Sequence, residues 1–322
     1  MQSLNRASSK PAGIEFEKFH GLGNDFLFLN HTVLDCYPTK FEQAEFVKQI
    51  CRRNFAVGAD GVLFTNDEEK LLLILNADGS EAATCGNALR CYGLKLLRQN
   101  QWCGEKPLPI KRLGNPTEVF ATLLFGSLET QQITVAMGQE RQVQEITELS
   151  HVPFDVFPLK VAYVQLANPH LVFVSPRFST FTEDDFSVFG KFSQEAFLTP
   201  FQSQFPLSNI SMIYSNALGI SGSDIVLLND IEKKLKIWHL SVYERGVGLT
   251  LCCGSGAVAS RIALESMGLV PSDDLQTSLQ LAGGQVKIQS HQVNGEAQRT
   301  LTGAAEYVCK GTYSWYKKEI ES

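Results

Sequence analysis

The chain has 322 residues, a formal net charge of −6 and 44% hydrophobic residues, which suggests two domains or one large one and is ample for a sizeable core. That charge argues against a nucleic-acid partner, which wants a basic patch, and no apolar run approaches the roughly 20 residues that cross a bilayer. Met1 to Gly13 is polar without an apolar signal core and reads as a loose tail on a cytoplasmic protein.

In chain order, Ile14–Phe19 has a strand pattern. His20-Gly21-Leu22-Gly23-Asn24-Asp25-Phe26 is a tight turn, and Phe26–Leu29 resumes the strand. Thr39-Lys40-Phe41-Glu42 fits a capping box that opens an amphipathic helix over Phe41–Asn54. Gly58-Ala59-Asp60-Gly61 reads as a turn before a strand at Val62–Thr65. Leu71–Leu75 is a buried strand, broken by Asn76, Asp78 and Gly79. Cys85-Gly86-Asn87 then enters a helix that runs to Arg98, and several short strands fill Pro107–Gly138.

The pattern starts over near Gln132–Gly138, so a domain junction is placed there. Val161–Leu166 and Leu171–Val174 are strands on either side of an Ala167-Asn168-Pro169-His170 turn. A helix is expected near Glu183–Gly190, inside a Phe-rich stretch from Phe178 to Phe205. Ser208-Asn209-Ile210 leads into a strand to Tyr214, and Ser223–Leu228 and Leu235–Tyr243 are further strands. Glu244-Arg245-Gly246-Val247-Gly248 is a polar loop. Cys253-Gly254-Ser255-Gly256 leads into a helix over Ala257–Met267, and strands at Leu279–Gln289 and Thr300–Cys309 close the chain.

Two stretches share one plan: strand, polar loop, Cys-Gly, helix. Asn76 precedes Cys85 by nine residues, and Glu244 precedes Cys253 by nine, which points to an internal duplication. Each cysteine is expected at a helix N-terminus, where unpaired N–H groups and the helix dipole favour negative charge, so each thiol is expected to ionise more easily than a free one. The eight cysteines include no C-x-x-C pair, which leaves a zinc ribbon or a thioredoxin motif without support.

Two nucleophilic thiols leave few chemistries. One is two-base proton transfer at carbon: a thiolate takes a proton from one face of a stereocentre and a thiol delivers one to the other. Charge then builds on the neighbouring carboxylate, and N–H groups at Gly86-Asn87 and Gly254-Ser255 are the kind of donor that meets it. Arg245 suits a carboxylate, Glu244 an ammonium or a thiol pKa, and His170 a thiol pKa. Asn24, Asn76, Asn168 and Asn209 all fall at turns, where a structural asparagine is the commoner case. A reversible thiol redox pair and a catalytically silent binding protein are the competing readings.

Taken together, His20–Phe26, Gly58–Gly61, Asn76–Glu81, Cys85–Asn87, Asn168–His170, Tyr243–Gly248, Cys253–Gly256 and Leu301–Gly303 resemble, in order, the motifs of the diaminopimelate epimerase family. The resemblance implies an isomerase of lysine and peptidoglycan precursor biosynthesis that interconverts LL- and meso-diaminopimelate. It implies an α/β (α+β) fold of two pseudo-symmetric domains, each a curled sheet or barrel around a central helix, with the active site in the cleft between them. The domains are 1–133 completed by 302–322, and 134–301. It implies Cys85 and Cys253 as proton carriers, with His170 and Glu244 tuning their pKa values. The implied substrate contacts are Asn24, Asn76, Gly86, Asn87, Asn168, Asn209, Glu244, Arg245, Gly254 and Ser255. No pyridoxal phosphate, no metal and no cofactor of any kind is implied. The implied partners are a small amino-acid substrate and a second copy in a homodimer, although Cys309 stands where an aromatic residue of the dimer is expected. Leu249 replaces a usual glutamate, Ala88 a frequent glycine and Cys252 a frequent alanine. A racemase of another amino acid on the same scaffold is the nearest alternative.

Overall fold

The structure is a computed structural model that describes residues 13–82, 84–138, 142–146, 156, 159–193, 208–215, 218–221, 224–227, 237–244, 247–272, 275–293 and 296–314. The chain packs as two units. One runs up to Gln131 and resumes from Ala305, and the other is Gln132–Ala304. The breaks fall there rather than at 133/134 and 301/302.

In the first unit, β1 (Ile14–Gly21) and β2 (Asn24–Asn30) form a hairpin. Its two loop residues, Leu22 and Gly23, both have positive φ (57° and 89°), as a two-residue turn that matches strand twist requires. Helix α1 (Lys40–Ile50) begins with the expected capping box between Thr39 and Glu42. It stops at Ile50, short of the expected Asn54, because Asn54 turns to φ 70° and the Gly58 N–H folds back onto the Ile50 carbonyl. β3 (Gly61–Asn66) lies parallel to β2, and β4 (Leu71–Asn76) is antiparallel to β3. Helix α2 (Gly86–Arg98) follows, then β5 (Leu108–Arg112) and β6 (Asn115–Gly126). The last strand among the described residues, β19 (Glu306–Tyr313), pairs with β1.

Helix α2 is buried on every side from Gly86 to Leu97. A helix buried all round sits inside a core rather than on a surface. It touches β19, β1 and β2 near one end of the strand order and β6 at the other, so the sheet curls round it. Of the polar residues that go inside with it, Arg90 donates one hydrogen bond to the Asn87 amide and the Lys95 ammonium pairs with the Asp67 carboxylate. A buried charge without such a partner is strongly destabilising.

The second unit repeats the plan. β7 (Gln132–Ala136) and β8 (Gln142–Ile146) lead in, and β9 (Lys160–Gln165) and β10 (Pro169–Val174) are antiparallel. Helix α3 (Glu183–Phe192) comes next, with a capping box between Thr182 and Asp185. β11 (Asn209–Ser215) is parallel to β10, and a small hairpin follows, β12 (Leu218–Ser221) with β13 (Asp224–Leu227). β14 (Trp238–Glu244) is antiparallel to β11 and is followed by β15 (Gly248–Thr250). Helix α4 (Gly254–Ser266) enters the core, and β16 (Gln276–Leu281), β17 (Gly284–Val293) and β18 (Glu296–Ala304) complete the unit. Helix α4 touches β8 to β11 as well as β17 and β18, so this sheet also closes on its helix.

The matching connectivity bears on the duplication. In both units an antiparallel pair is followed by a helix, a parallel neighbour, an antiparallel strand and then the buried helix. The described part of the Phe-rich stretch, residues 178–193, supplies core material. Phe178, Phe186 and Phe189 are buried with Phe173 and Met212, and Phe178 and Phe189 meet edge to face, an arrangement aromatic pairs favour. Residues 194–205 of that stretch lie outside the described residues, as do Ser223, Leu228 and Leu235. Two expected strands are in fact broken: Leu279–Gln289 turns between Leu281 and Gly284, and Thr300–Cys309 is interrupted at Ala305. Leu249 packs against the apolar cluster of this unit, which gives an uncharged residue there a structural use. Among the described residues no helix is long and apolar enough to cross a membrane.

Candidate active site

The two cysteines occupy one structural position twice. Asn76 is the last residue of β4 and Glu244 the last of β14. Nine residues on, Cys85 and Cys253 are the N-caps of the two buried helices, with nearly the same extended backbone (φ −147°, ψ 110° and φ −126°, ψ 109°). Gly86-Asn87 and Gly254-Ser255 open the first turns, where N–H groups lack intrahelical partners.

Around Cys253, the Gly256 N–H donates to the sulfur at 3.4 Å, and the Ser255 hydroxyl is 3.5 Å from it. Gly256 must be small: a Cβ there would stand 2.9 Å from Val242 Cγ2 and 3.3 Å from the sulfur. The expectation of an easily ionised thiol is corrected here. Burial pushes the Cys253 thiol well above its ordinary pKa, the charge of Glu244 adds to the rise, and the hydrogen bonds from Ser255 and Gly256 offset only part of it. Cys253 is therefore a thiol at neutral pH. Cys85 is half-buried.

His170 is corrected as well. It is not on a turn but on β10, opposite Asn209 of β11, and fully buried. Its Nε2 is 3.1 Å from the Ser255 hydroxyl and its Nδ1 3.5 Å from that of Ser211. Burial lowers its pKa to about 3, so the ring is neutral in ordinary buffers. Glu244 is half-buried and accepts a hydrogen bond from Thr250 Oγ1 at 2.8 Å. Asn168 is exposed just before β10. Arg245 lies outside the described residues.

In the first unit, Asn24 opens β2 and Asn76 closes β4. Asn24 Nδ2 donates to Asp60 at 2.7 Å, and Asn24 Oδ1 accepts from Asn87 Nδ2 at 3.0 Å. Asn76 Nδ2 donates to Ser80 Oγ at 3.0 Å. So Asn24 and Asn87, 63 residues apart, meet directly. Asp60, Arg90 and Ser211 were not assigned from sequence. Asp60 has the composition of a turn residue in Gly58-Ala59-Asp60-Gly61, although its place in a motif offers the signal. Beside it, burial opposes the charge on Asp25, but hydrogen bonds from Arg53 and Lys18 outweigh burial and hold that carboxyl below the usual range.

The fold is shared with a class of proteins that includes racemases and epimerases. It resembles that of a hydroxyproline epimerase from Agrobacterium vitis crystallised with trans-4-OH-L-proline, with a TM-score of 0.60 at 11% identity over 95% of this chain and 92% of that one. A PhzF-family phenazine biosynthesis protein of Bacillus anthracis gives a TM-score of 0.61 at 10% identity over 93% and 98%. At such identities the likeness concerns the fold alone. In sequence, the model of the family described as diaminopimelate epimerase matches residues 16–140. Diaminopimelate epimerases of Synechococcus elongatus and Carboxydothermus hydrogenoformans are each 30% identical to the chain, covering 91% and 93% of it and 98% and 99% of their own length. The chain belongs to the diaminopimelate epimerase family.

Proposed function

We propose that the protein is a cytoplasmic diaminopimelate epimerase, interconverting LL- and meso-2,6-diaminopimelate by proton transfer between Cys85 and Cys253, with no pyridoxal phosphate or metal. One observation carries the reading: in a chain of this family, both cysteines cap equivalent buried helices in two copies of the same strand–helix unit. Cys253, held protonated by burial and by Glu244, starts as the acid. Cys85 starts as the thiolate. Abstraction by Cys85 and delivery by Cys253 invert the α-carbon and leave the two protonation states exchanged, ready for the reverse reaction. N–H groups at the two helix starts meet the charge that builds on the carboxylate.

In this reading Asn24, Asn76, Asn87, Asn168, Asn209 and Arg245 hold the amino-acid ends of the substrate, together with Glu244, Ser255 and the backbone of Gly86 and Gly254. Exclusion of water from the site strengthens each of these electrostatic contacts. A homodimer is part of the reading.

The test is incubation of purified protein with each diaminopimelate isomer in deuterated water. Solvent deuterium at the α-carbon of the epimerised product, in both directions, is expected. No exchange with either isomer sinks the reading, and faster exchange with a single-ended amino acid replaces it with a racemase of that amino acid.

A further inference from the structure

Four side chains of the first unit form a hydrogen-bonded row. Arg90 Nη2 donates to Asn87 Oδ1 at 2.6 Å, Asn87 Nδ2 donates to Asn24 Oδ1 at 3.0 Å, and Asn24 Nδ2 donates to Asp60 Oδ2 at 2.7 Å. A carboxamide can face a neighbour with its oxygen or its nitrogen, and the two ways differ only by a flip. Here both ends of the row forbid the flip. The Arg90 guanidinium only donates and the Asp60 carboxylate only accepts. With a donor fixed at one end and an acceptor at the other, one orientation of the two amides satisfies all three contacts.

Asp60 is itself held firmly. Its Oδ2 accepts from the Asp25 backbone N–H at 3.0 Å, and its Oδ1 accepts from Arg53 Nη2 at 2.8 Å. Its own N–H donates to Asp25 Oδ1 at 3.0 Å, and Arg53 also grips the Asp25 carboxylate. The strand register supports this pairing, because β2 and β3 run in parallel with Phe26 opposite Gly61, which brings the residue before each strand position into reach. Gly21 keeps the row open on its other flank: a Cβ there would come within 3.1 Å of Arg90 Nη2 and 3.3 Å of the Asn87 backbone carbonyl oxygen.

We propose that Asp60 is a positioning residue, which fixes through Asn24 the way round in which the Asn24 and Asn87 carboxamides are presented. The inference rests on the functional reading above only in taking those two amides as substrate contacts. An amide presented the wrong way offers an acceptor where the ligand needs a donor, so substrate binding, rather than folding, registers the loss of Asp60. Asparagine at position 60 is nearly the same size but can donate or accept, so that end of the row no longer forbids the flip and Arg90 alone still opposes it. Arg53→Gln removes an anchor of Asp60 while leaving an acceptor-only group against Asn24.

The experiment compares Asp60→Asn and Arg53→Gln in the full-length protein, with kinetics on LL-diaminopimelate and thermal unfolding. The expected result for Asp60→Asn is a fall in kcat/KM of about 10- to 100-fold, carried mainly by KM. Arg53→Gln is expected to lower the Tm while kcat/KM stays within about threefold of wild type. A folded Asp60→Asn variant with wild-type kcat/KM overturns the proposal, and so does an equal loss in both variants that tracks their Tm.

A measurement on the wild-type protein covers the case in which Asp60→Asn does not fold, or in which wild type shows no epimerase activity. In protein labelled with nitrogen-15 at asparagine, the Asn24 and Asn87 side-chain N–H groups that donate in the row are expected to exchange at least about 10-fold more slowly than an exposed carboxamide such as that of Asn168. Equal exchange at all three overturns the fixed row. Inactivity of wild type with slow exchange at Asn24 and Asn87 rejects the functional reading alone.

Discussion

The Ser255 hydroxyl joins two groups that sequence reasoning had treated separately: it is 3.1 Å from Nε2 of His170 and 3.5 Å from the sulfur of Cys253. Since the His170 ring is neutral, its influence on that hydroxyl is exerted through a hydrogen bond and not through a charge. Charge reaches Cys253 from Glu244 instead. Within this unit the two residues expected to tune thiols thus act in different ways, one by orienting a hydroxyl and one by electrostatic repulsion.

Replacing Glu244 by glutamine removes the negative charge that helps to keep Cys253 protonated. The Cys253 thiol is therefore expected to move down in pKa, although burial, the largest cause of its rise, remains. Alkylation by iodoacetamide, followed by mass spectrometry of the Cys253 peptide across pH, reads this directly. The inflection is expected at lower pH in the variant. An unchanged or higher inflection contradicts the assignment.

His170 ties stability to pH. Its folded pKa is about 3 because of burial, below the ordinary value near 6.5. The unfolded chain therefore binds a proton that the folded chain refuses, and stability falls as pH drops from about 6.5 towards 3, by up to about 1.4 kcal/mol per unit. His239, also lowered by burial, adds a contribution of the same sign. Chemical denaturation of wild type and His170→Gln between pH 7 and pH 5 isolates the His170 share: the variant is expected to show the shallower slope. Parallel slopes reject the buried, neutral histidine.

The cysteine positions were legible because they are local: a strand, a polar turn and a helix start recur with the same nine-residue interval, whatever surrounds them. His170 was misplaced because Asn168-Pro169-His170 has the composition of a turn. Yet Pro169 is the first residue of β10, a position where proline's missing N–H is tolerated. The rise of the Cys253 pKa was not legible, since a helix N-terminus is visible in sequence while burial is a property of the packed unit. Asp60 was missed for a related reason. Its partner Asn24 is 36 residues away, and only the parallel pairing of β2 and β3 joins them. The Phe-rich stretch has no account in sequence because Phe178, Phe186 and Phe189 reach the core from a short 3-10 turn at Pro176–Thr180 and from α3, outside any clear single periodicity.

Gly256 couples packing to the thiol. A methyl group at this position meets Val242 Cγ2 at 2.9 Å and the Cys253 sulfur at 3.3 Å. Neither contact is relieved cheaply, because Val242 and Cys253 are both buried. Gly256→Ala is expected to destabilise by about 1–3 kcal/mol, as overpacking of a core does, even though alanine is the better helix former. Denaturant unfolding measures the sign: a gain in stability, as helix propensity alone predicts, contradicts this placement of α4 against β14.

The sharpest consequence of a two-thiol mechanism lies in what a single thiol can still do. With Cys253→Ala, Cys85 can take the α-proton and return one to the same face, so solvent deuterium is expected to enter the substrate slowly with retention of configuration. Inversion, which needs a donor on the other face, is expected to fall by at least about 10³-fold, within the range that a positioned acid or base contributes. Chiral chromatography separates inversion from retention, and mass spectrometry counts the deuterium. Cys85→Ala is expected to lose inversion to the same extent, since no step can then bypass the missing base. Inversion near the wild-type rate in either variant would falsify the pairing of the two cysteines, and would direct attention to another base at the mouth of α2 or α4.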